Sequence, residues 1–285
     1  MKTVRLVCGL LLCAGLIGLI VGGGVFYARM RTAYRRTKIE PRPTFRLSAF
    51  TELPDRERLR LCAMRGLSAV WPENTLEAIR AAGEAGFPLV QMDVAVTRDE
   101  KLVLLYDDTL DRMAGRHERV SSLTFDALKT IPLRNGANVD KTEDAHIPLL
   151  TDALSICQEF GMRPVLAVRS AACARLLSAL PELQGSDWIC VSAQKSALAA
   201  LRSLPIRRFY RTDVVSEDAI RYAQKERCGI VFDARDGGNT DALLQKALRL
   251  PLWAWNADRR LTLHHLAQLG VYDVGTSCIL PMRSK

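Results

Sequence analysis

Pro164-Val165-Leu166-Ala167-Val168-Arg169 is an apolar run closed by a cation, and it lies between two stretches with helical patterning, Leu150–Phe160 and Ala171–Ala179. A continuous apolar run of this length between helices reads as a strand buried on both faces. Working outward, the same alternation recurs. Strands are expected at Leu59–Met64, Leu89–Val94, Pro164–Arg169, Trp188–Ser192, Ile206–Tyr210, Gly229–Phe232, Pro251–Trp255 and Tyr272–Thr276. Helices are expected at Thr75–Ala85, Leu150–Phe160, Ala171–Ala179, Lys195–Leu204, Glu217–Glu226, Thr240–Leu248 and Arg260–Leu269. In the first, Thr75, Leu76, Ile79 and Ala82 fall at helical spacing. Such alternation implies parallel strands joined by crossovers, a pattern that an open doubly wound sheet and a closed barrel both satisfy. No Gly-rich dinucleotide fingerprint follows the first strand, which disfavours the open nucleotide-binding sheet. Lys101–Tyr106 reads as an extra strand. Residues 107–147 form an excursion before the second helix, of a size that commonly covers or carries a site.

The chain's 285 residues suffice for an anchor and one large α/β domain. Of its 40 Lys/Arg and 31 Asp/Glu, nine bases and a single acid, Glu40, fall in residues 1–47. The remainder is nearly neutral. The basic excess is therefore no nucleic-acid footprint, and no nucleic-acid partner is expected. Its place beside an apolar stretch suits anionic lipid head groups. Leu6–Ala28 carries no charged residue. As a helix it would rise roughly 34 Å, enough to cross a hydrocarbon core of about 30 Å. The run is too long for a signal-peptide core, and Phe26-Tyr27-Ala28 is a poor cleavage site. The expected organisation is a single-pass anchor over 1–28, a basic juxtamembrane linker over 29–58, and a domain over 59–285. Residues 6–28 and the basic linker are the expected contacts with membrane lipids. Arg29, Arg31, Arg35, Arg36 and Lys38 outnumber Lys2 and Arg5 across the span, which places the domain on the cytoplasmic side. Cys62, Cys157, Cys173, Cys190, Cys228 and Cys278 are scattered and read as buried apolar residues in a reducing compartment.

A series of motifs runs in order through the domain. It comprises Met64-Arg65-Gly66, Pro72-Glu73-Asn74-Thr75, Gln91-Met92-Asp93, Val103-Leu104-Leu105-Tyr106-Asp107-Asp108-Thr109-Leu110-Asp111-Arg112, Ile147-Pro148-Leu149-Leu150, Leu166-Ala167-Val168-Arg169 and Trp253-Ala254-Trp255-Asn256. From about residue 59 to the end, these resemble the glycerophosphodiester phosphodiesterase family, with its P-E-N-T and T-L-D-R strings intact. The resemblance implies a closed (β/α)8 TIM barrel and hydrolysis of glycerophosphodiesters to glycerol 3-phosphate and an alcohol. It also implies two proton-shuttling histidines, a divalent cation such as Mg or Ca on two Glu and one Asp, and an Arg and a Lys on the phosphate.

The departures fall on that chemistry. The two family histidines are Met64 and Tyr106, a thioether and a phenol, neither a useful proton carrier near neutral pH. The two metal-ligand glutamates are Gln91 and Ala167, and Asp93 alone remains. Hard cations want several oxygen ligands, so no metal cofactor is expected. Arg65 is retained and Arg169 replaces the lysine, so both are expected to bind phosphate; the other reading of these arginines is pairing with Asp93, Asp107 or Glu73. Glu73, Asn74, Thr109, Asp111 and Arg112 are expected to hold loops through caps and turns. His117, His146, His264 and His265 are expected at the surface or in packing. Trp253 and Trp255 share one face of a strand, so both point outward against helices, the expected fate, or both point into the barrel mouth as an apolar pocket wall. The functional expectation is a membrane-anchored, catalytically inactive pseudoenzyme that keeps a pocket for a phosphate-bearing ligand. Two alternatives stand beside it: an active hydrolase with a site rearranged around Asp93, Asp107, Tyr106 and Gln91, and a membrane-surface scaffold.

Overall fold

Strand pairing runs full circle. A computed structural model of the chain describes residues 38–142, 145–236 and 238–282. Within it β2 (Arg60–Met64), β3 (Leu89–Val96), β5 (Arg163–Val168), β6 (Ile189–Ser192), β7 (Arg207–Arg211), β8 (Gly229–Asp233), β9 (Leu252–Trp255) and β10 (Asp273–Thr276) pair in parallel. Because β2 pairs with both β3 and β10, the sheet closes and the chain is a (β/α)8 barrel rather than an open sheet. The extra strand, β4 (Leu102–Leu104), adds antiparallel to the end of β3.

The crossovers are α1 (Leu76–Glu84), then α4 (Leu150–Phe160), α5 (Ala171–Ala179), α6 (Lys195–Ala200), α7 (Glu217–Glu226), α8 (Asp241–Ala247) and α9 (Arg260–Gln268). Hydroxyls begin three of them: Thr75, Ser170 and Ser216 accept from the N–H of Ala78, Cys173 and Ala219. Each thus satisfies an amide the helix cannot. Helix α6 stops at Ala200, short of the expected Leu204, as the chain turns ahead of Pro205, a residue that disfavours helical backbone before it. The excursion holds two single-turn helices, α2 (Asp111–Ala114) and α3 (Phe125–Leu128), around a separate apolar cluster that includes Leu110, Met113, Leu128 and Ile147.

Alternation along the strands divides the main core in two. Val90, Met92, Leu166, Ile230 and Phe232 face outward into the helices. Cys62, Met64, Leu89, Val165, Ile189, Val191, Phe209, Val231, Trp253 and Trp255 form a second cluster made of strand residues alone. That second cluster is the barrel interior. The expectation that both tryptophans pack against helices is therefore corrected: register puts them inside. Room comes from Gly275 on the neighbouring strand, where a Cβ would lie 2.6 Å from Met64 Sδ and 2.8 Å from Trp255 Cδ1. The buried indole of Trp253 meets Phe209 edge-on, with ring centroids 5.5 Å apart.

No helix follows β10 among the described residues. Instead β11 (Ile279–Leu280) pairs with β1 (Phe45–Arg46), and the segment 39–58 lies along the barrel as a strap. Leu47 and Leu53 are buried in the same cluster as Ile279, which puts them in the role a helix face plays elsewhere. The strap, read from sequence as the second part of a linker, thus joins the compact unit that begins at Ile39. The six cysteines from Cys62 to Cys278 are buried and free. Among the described residues no helix is long and apolar enough to cross a membrane. Leu6–Ala28, where a span is expected, lies outside the described residues.

Candidate active site

Register collects the key positions in one layer. Met64 on β2 stands opposite Gln91 on β3, and Asp93 on β3 stands opposite Ala167 on β5. The layer is at the carboxyl ends of the strands, where barrels of this class carry their sites. Arg65 and Arg169 follow β2 and β5 at the same rim, and Tyr106 follows β4.

Arg65 leaves its strand with φ +59, and Gly66 continues at φ +77. Left-handed backbone is uncommon for a residue with a side chain and persists where surroundings hold it. Here the Arg65 N–H donates to Gln91 Oε1 at 3.0 Å. Its guanidinium crosses the mouth, with Nε 2.9 Å from Asp93 Oδ2 and Nη1 2.9 Å from Glu73 Oε1. The group also stacks 3.8 Å above the centre of the Tyr106 ring. Gly66 has no alternative, since a Cβ would lie 2.5 Å from the Ala78 carbonyl carbon.

Asp93 is saturated. Its Oδ1 accepts from Gln91 Nε2 at 3.0 Å, and its Oδ2 accepts from Asn74 Nδ2 at 3.0 Å as well as from Arg65. Its N–H donates to Asn74 Oδ1 at 3.0 Å. Asn74, itself at φ +60, donates its N–H to the Arg65 carbonyl at 3.0 Å. An outer ring closes the network. Arg112 pairs with Glu73 and donates from Nε to Asp107 Oδ2 at 2.7 Å. Burial opposes ionisation of Glu73, but the Arg65 and Arg112 guanidiniums outweigh it and hold the carboxyl below its ordinary range. Burial likewise works against the charge on Arg65, and Asp93 with Glu73 more than restores it. Arg169 donates to the carbonyls of Tyr106 and Leu105 and lies 3.3 Å from Asp108. Beside it is a cavity of about 210 Å³ lined by Asp108, Arg119, Ser121 and Ser170. Another, of about 240 Å³ and lined in part by Trp188 and Ile206, lies at the opposite end of the barrel, before β6 and β7.

A divalent cation does not fit this donor set. Gln91 turns its amide nitrogen, a donor, toward Asp93, and Ala167 offers a methyl. Asp93 already receives a guanidinium and two amides, and a cation wants those same oxygens. Among the described residues, no group of three or more His, Cys, Asp or Glu side chains is placed to share an ion. His117 and His265 sit at the surface on Asp111 and Asp241.

The structure brings Arg65, Asp93, Gln91 and Tyr106 together, with Met64 and Ala167 in the same layer. Arg169 joins them at the rim through the Tyr106 carbonyl. For Arg65 the structure shows the pairing with Glu73 and Asp93 that the sequence offered as its other reading, while reading from sequence missed that Asn74 is a member of the network rather than a loop cap. Thr75 is the cap, and Asn74 serves Asp93. Arg112 belongs with them. The signal was the intact Pro72–Thr75 and Thr109–Arg112 strings, kept where the proton carriers are not.

These features define a (β/α)8 barrel with a polar, arginine-bearing mouth built from its first three parallel strands. The sequence profile of the glycerophosphoryl diester phosphodiesterase family matches residues 65–167, the part that builds this mouth. The chain belongs to that family. It is 32% identical over 158 residues to mouse glycerophosphodiester phosphodiesterase 1, covering 53% of this chain and 47% of that one. It thus spans about half the length of the mammalian relatives it matches. It is 33% identical over 197 residues to the uncharacterized protein YqiK of Bacillus subtilis, covering 66% of this chain and 81% of that one. Among solved structures, an Oleispira antarctica phosphodiesterase in complex with the product sn-glycerol-3-phosphate superposes with a TM-score of 0.68. It is 22% identical and the match covers 81% of this chain and 95% of that one. A Thermotoga maritima glycerophosphodiester phosphodiesterase gives 0.63 at 19% identity, covering 77% and 94%. Both likenesses are of fold.

Proposed function

We propose that this chain is a non-hydrolysing member of its family, held at a membrane by Leu6–Ala28, that binds a phosphate-bearing ligand at the barrel mouth. The carrying observation is Asp93, whose two carboxylate oxygens are taken by Arg65, Asn74 and Gln91. A carboxylate so engaged is a structural anion. With Met64 and Tyr106 at the proton-carrier positions, the family's acid–base pair for protonating a leaving alcohol and activating water is gone. Each such loss typically costs about 10²–10⁴ in rate. The ligand reading is supported by two guanidiniums that meet at Tyr106. Arg65 commits Nε and Nη1 to carboxylates and lies over the Tyr106 ring. Arg169 is 38% exposed beside the cavity. Guanidinium groups grip phosphate oxygens well. The basic residues after the apolar stretch support a cytoplasmic barrel.

The test is calorimetric titration of the purified full-length protein with sn-glycerol 3-phosphate, with and without a chelator, beside an assay of glycerophosphocholine hydrolysis. Binding indifferent to chelator, weakened by Arg169→Ala, and absent turnover are expected. Metal-dependent turnover of about 1–10³ s⁻¹, abolished by Asp93→Ala, would establish the active-hydrolase reading instead. Absence of binding with absent turnover would leave a membrane-surface scaffold. Resistance to carbonate extraction tests the anchor, and protease access from the cytoplasmic side tests its orientation.

A further inference from the structure

Alternation along β7 sends Phe209 into the barrel interior, so Arg211, two residues on and at the carboxyl end of the strand, faces the same way. Its guanidinium lies 5.7 Å over the ring of Trp255. Among the described residues the carboxylate that reaches it is Asp213, at 3.9 Å and 76% exposed. A pair that long in water is worth little, and it is no hydrogen bond. Asp233, level with Trp255 on the neighbouring strand, is taken: its carboxylate accepts from Arg235 and, at 2.8 Å, from Asn256 Nδ2.

Beneath this guanidinium, Trp255 is buried at 4% exposure, and its Nε1 finds no acceptor among the described residues. Cδ1, the carbon bonded to Nε1, borders Gly275, where β10 contributes no side chain to close over the N–H edge. The donors here thus outnumber the buried acceptors, and that imbalance selects a ligand. An ammonium group would meet a guanidinium and an N–H, both of the wrong polarity. A neutral hydroxyl satisfies a donor without answering the charge. A phosphate does both, since guanidinium and N–H groups each donate to its oxygens. Register supplies a second cation. Ala167 pairs with Val191 and Val191 with Phe209, so Arg169 and Arg211 stand at one height on either side of β6. Two strand spacings set their backbones about 10 Å apart, a gap that two arginine side chains can close on one phosphate.

We propose that the phosphate of a ligand at the barrel mouth is held between Arg211 and Arg169, with the Trp255 N–H as a further donor, on the β5–β9 side of the barrel rather than at Arg65. Arg65 is committed to Asp93 and Glu73, whereas Arg211 and the indole have their donors to spare. The aromatic half is then the phosphate-facing half, and the charged half is its frame. The inference rests on the phosphate-ligand reading above, and the test separates the two.

The full-length protein, labelled with nitrogen-15 at its four tryptophan indoles, is titrated with sn-glycerol 3-phosphate and with inorganic phosphate and followed by NMR. Trp255→Phe identifies the Trp255 signal by its loss. On binding, the Trp255 indole proton should move downfield, the direction of a hydrogen bond gained, and choline should leave it in place. Arg211→Gln should weaken binding at least about tenfold, the effect of one hydrogen bond to a charged group, with an unchanged melting curve of the unliganded protein. Arg211→Lys should recover part of that loss. Binding that Arg211→Gln leaves unaltered overturns this subsite and leaves the phosphate-ligand reading standing. So does binding during which the Trp255 signal stays where it was. Absence of binding by both phosphate compounds overturns the subsite and the reading together.

Discussion

The two halves of the barrel mouth are built from opposite materials. On the β2–β3–β5 side, Arg65, Glu73, Asp93, Gln91 and Asn74 form a network in which each of these side chains meets a partner. On the β7–β9 side the interior is aromatic: Phe209, Trp253 and Trp255, with Arg211 5.7 Å over the last. There, among the described residues, the indole N–H groups of Trp253 and Trp255 are the buried side-chain polar atoms that find no acceptor. The charged half is the one the family profile covers, and the aromatic half lies beyond it. Charge in a closed space must be paired or it is costly, so the charged half depends on each of its members. An indole is mostly apolar surface and tolerates one missing hydrogen bond at a cost of about 1–3 kcal/mol. One half therefore fails when a partner is removed, and the other gives way slowly.

The largest expected effect breaks the charged half on purpose. Met64→His, Gln91→Glu, Tyr106→His and Ala167→Glu together replace the neutral lining with proton carriers and cation ligands. Metal-dependent hydrolysis of glycerophosphocholine should rise at least about a hundredfold over the unsubstituted protein, the lower end of what acid–base groups contribute. No rise would mean that the Arg65 lock or the aromatic half closes the mouth to substrate. Next is Asp93→Ala, which strands a buried guanidinium and two amides. Urea denaturation should show a loss of about 3–5 kcal/mol, and a loss below about 1 kcal/mol would deny the network its structural role. Gly275→Ala probes the aromatic half by overpacking against Met64 and Trp255. It should cost about 1–3 kcal/mol in the same measurement.

Acid should separate the halves further. Glu73 has its carboxyl depressed by Arg65 and Arg112, so its contribution is fully present above the ordinary glutamate value of 4.5 and fades as pH falls through the depressed one. Stability followed between pH 5 and pH 2 should fall less steeply in Glu73→Gln than in the unsubstituted chain. Smallest of all is Trp255→Phe, which removes an unpaired N–H along with some apolar area. A change within about 1 kcal/mol is expected, and a loss above about 3 kcal/mol would mean the indole nitrogen has a partner.

The barrel was legible because its cues are local. Val165–Val168 is apolar whatever surrounds it, and Ser170 and Ser216 mark helix starts in a single sequence. Site positions were legible through intact strings near altered ones. What escaped needs distance. Arg112 reaches Glu73 across 39 positions. The inward aim of Trp253 follows from how β9 registers with β8 and β10, and alternation alone gives two tryptophans on one face without saying which. The strap escaped because Leu47 and Leu53 sit in a Pro- and Arg-rich stretch whose partner surface is the other end of the chain.

That last separation also orders events in time. Arg42 and Arg46 bond to residues 235 positions later, Ser277 and Pro281. At about 5–20 residues per second of synthesis, the strap leaves the ribosome roughly ten to fifty seconds before its partner strand exists. Through that interval the edges of β2 and β10 cannot meet, and Leu47 and Leu53 have no shelter. Barrel closure therefore waits for β10, and a nascent chain interrupted before β11 would leave the strap undocked.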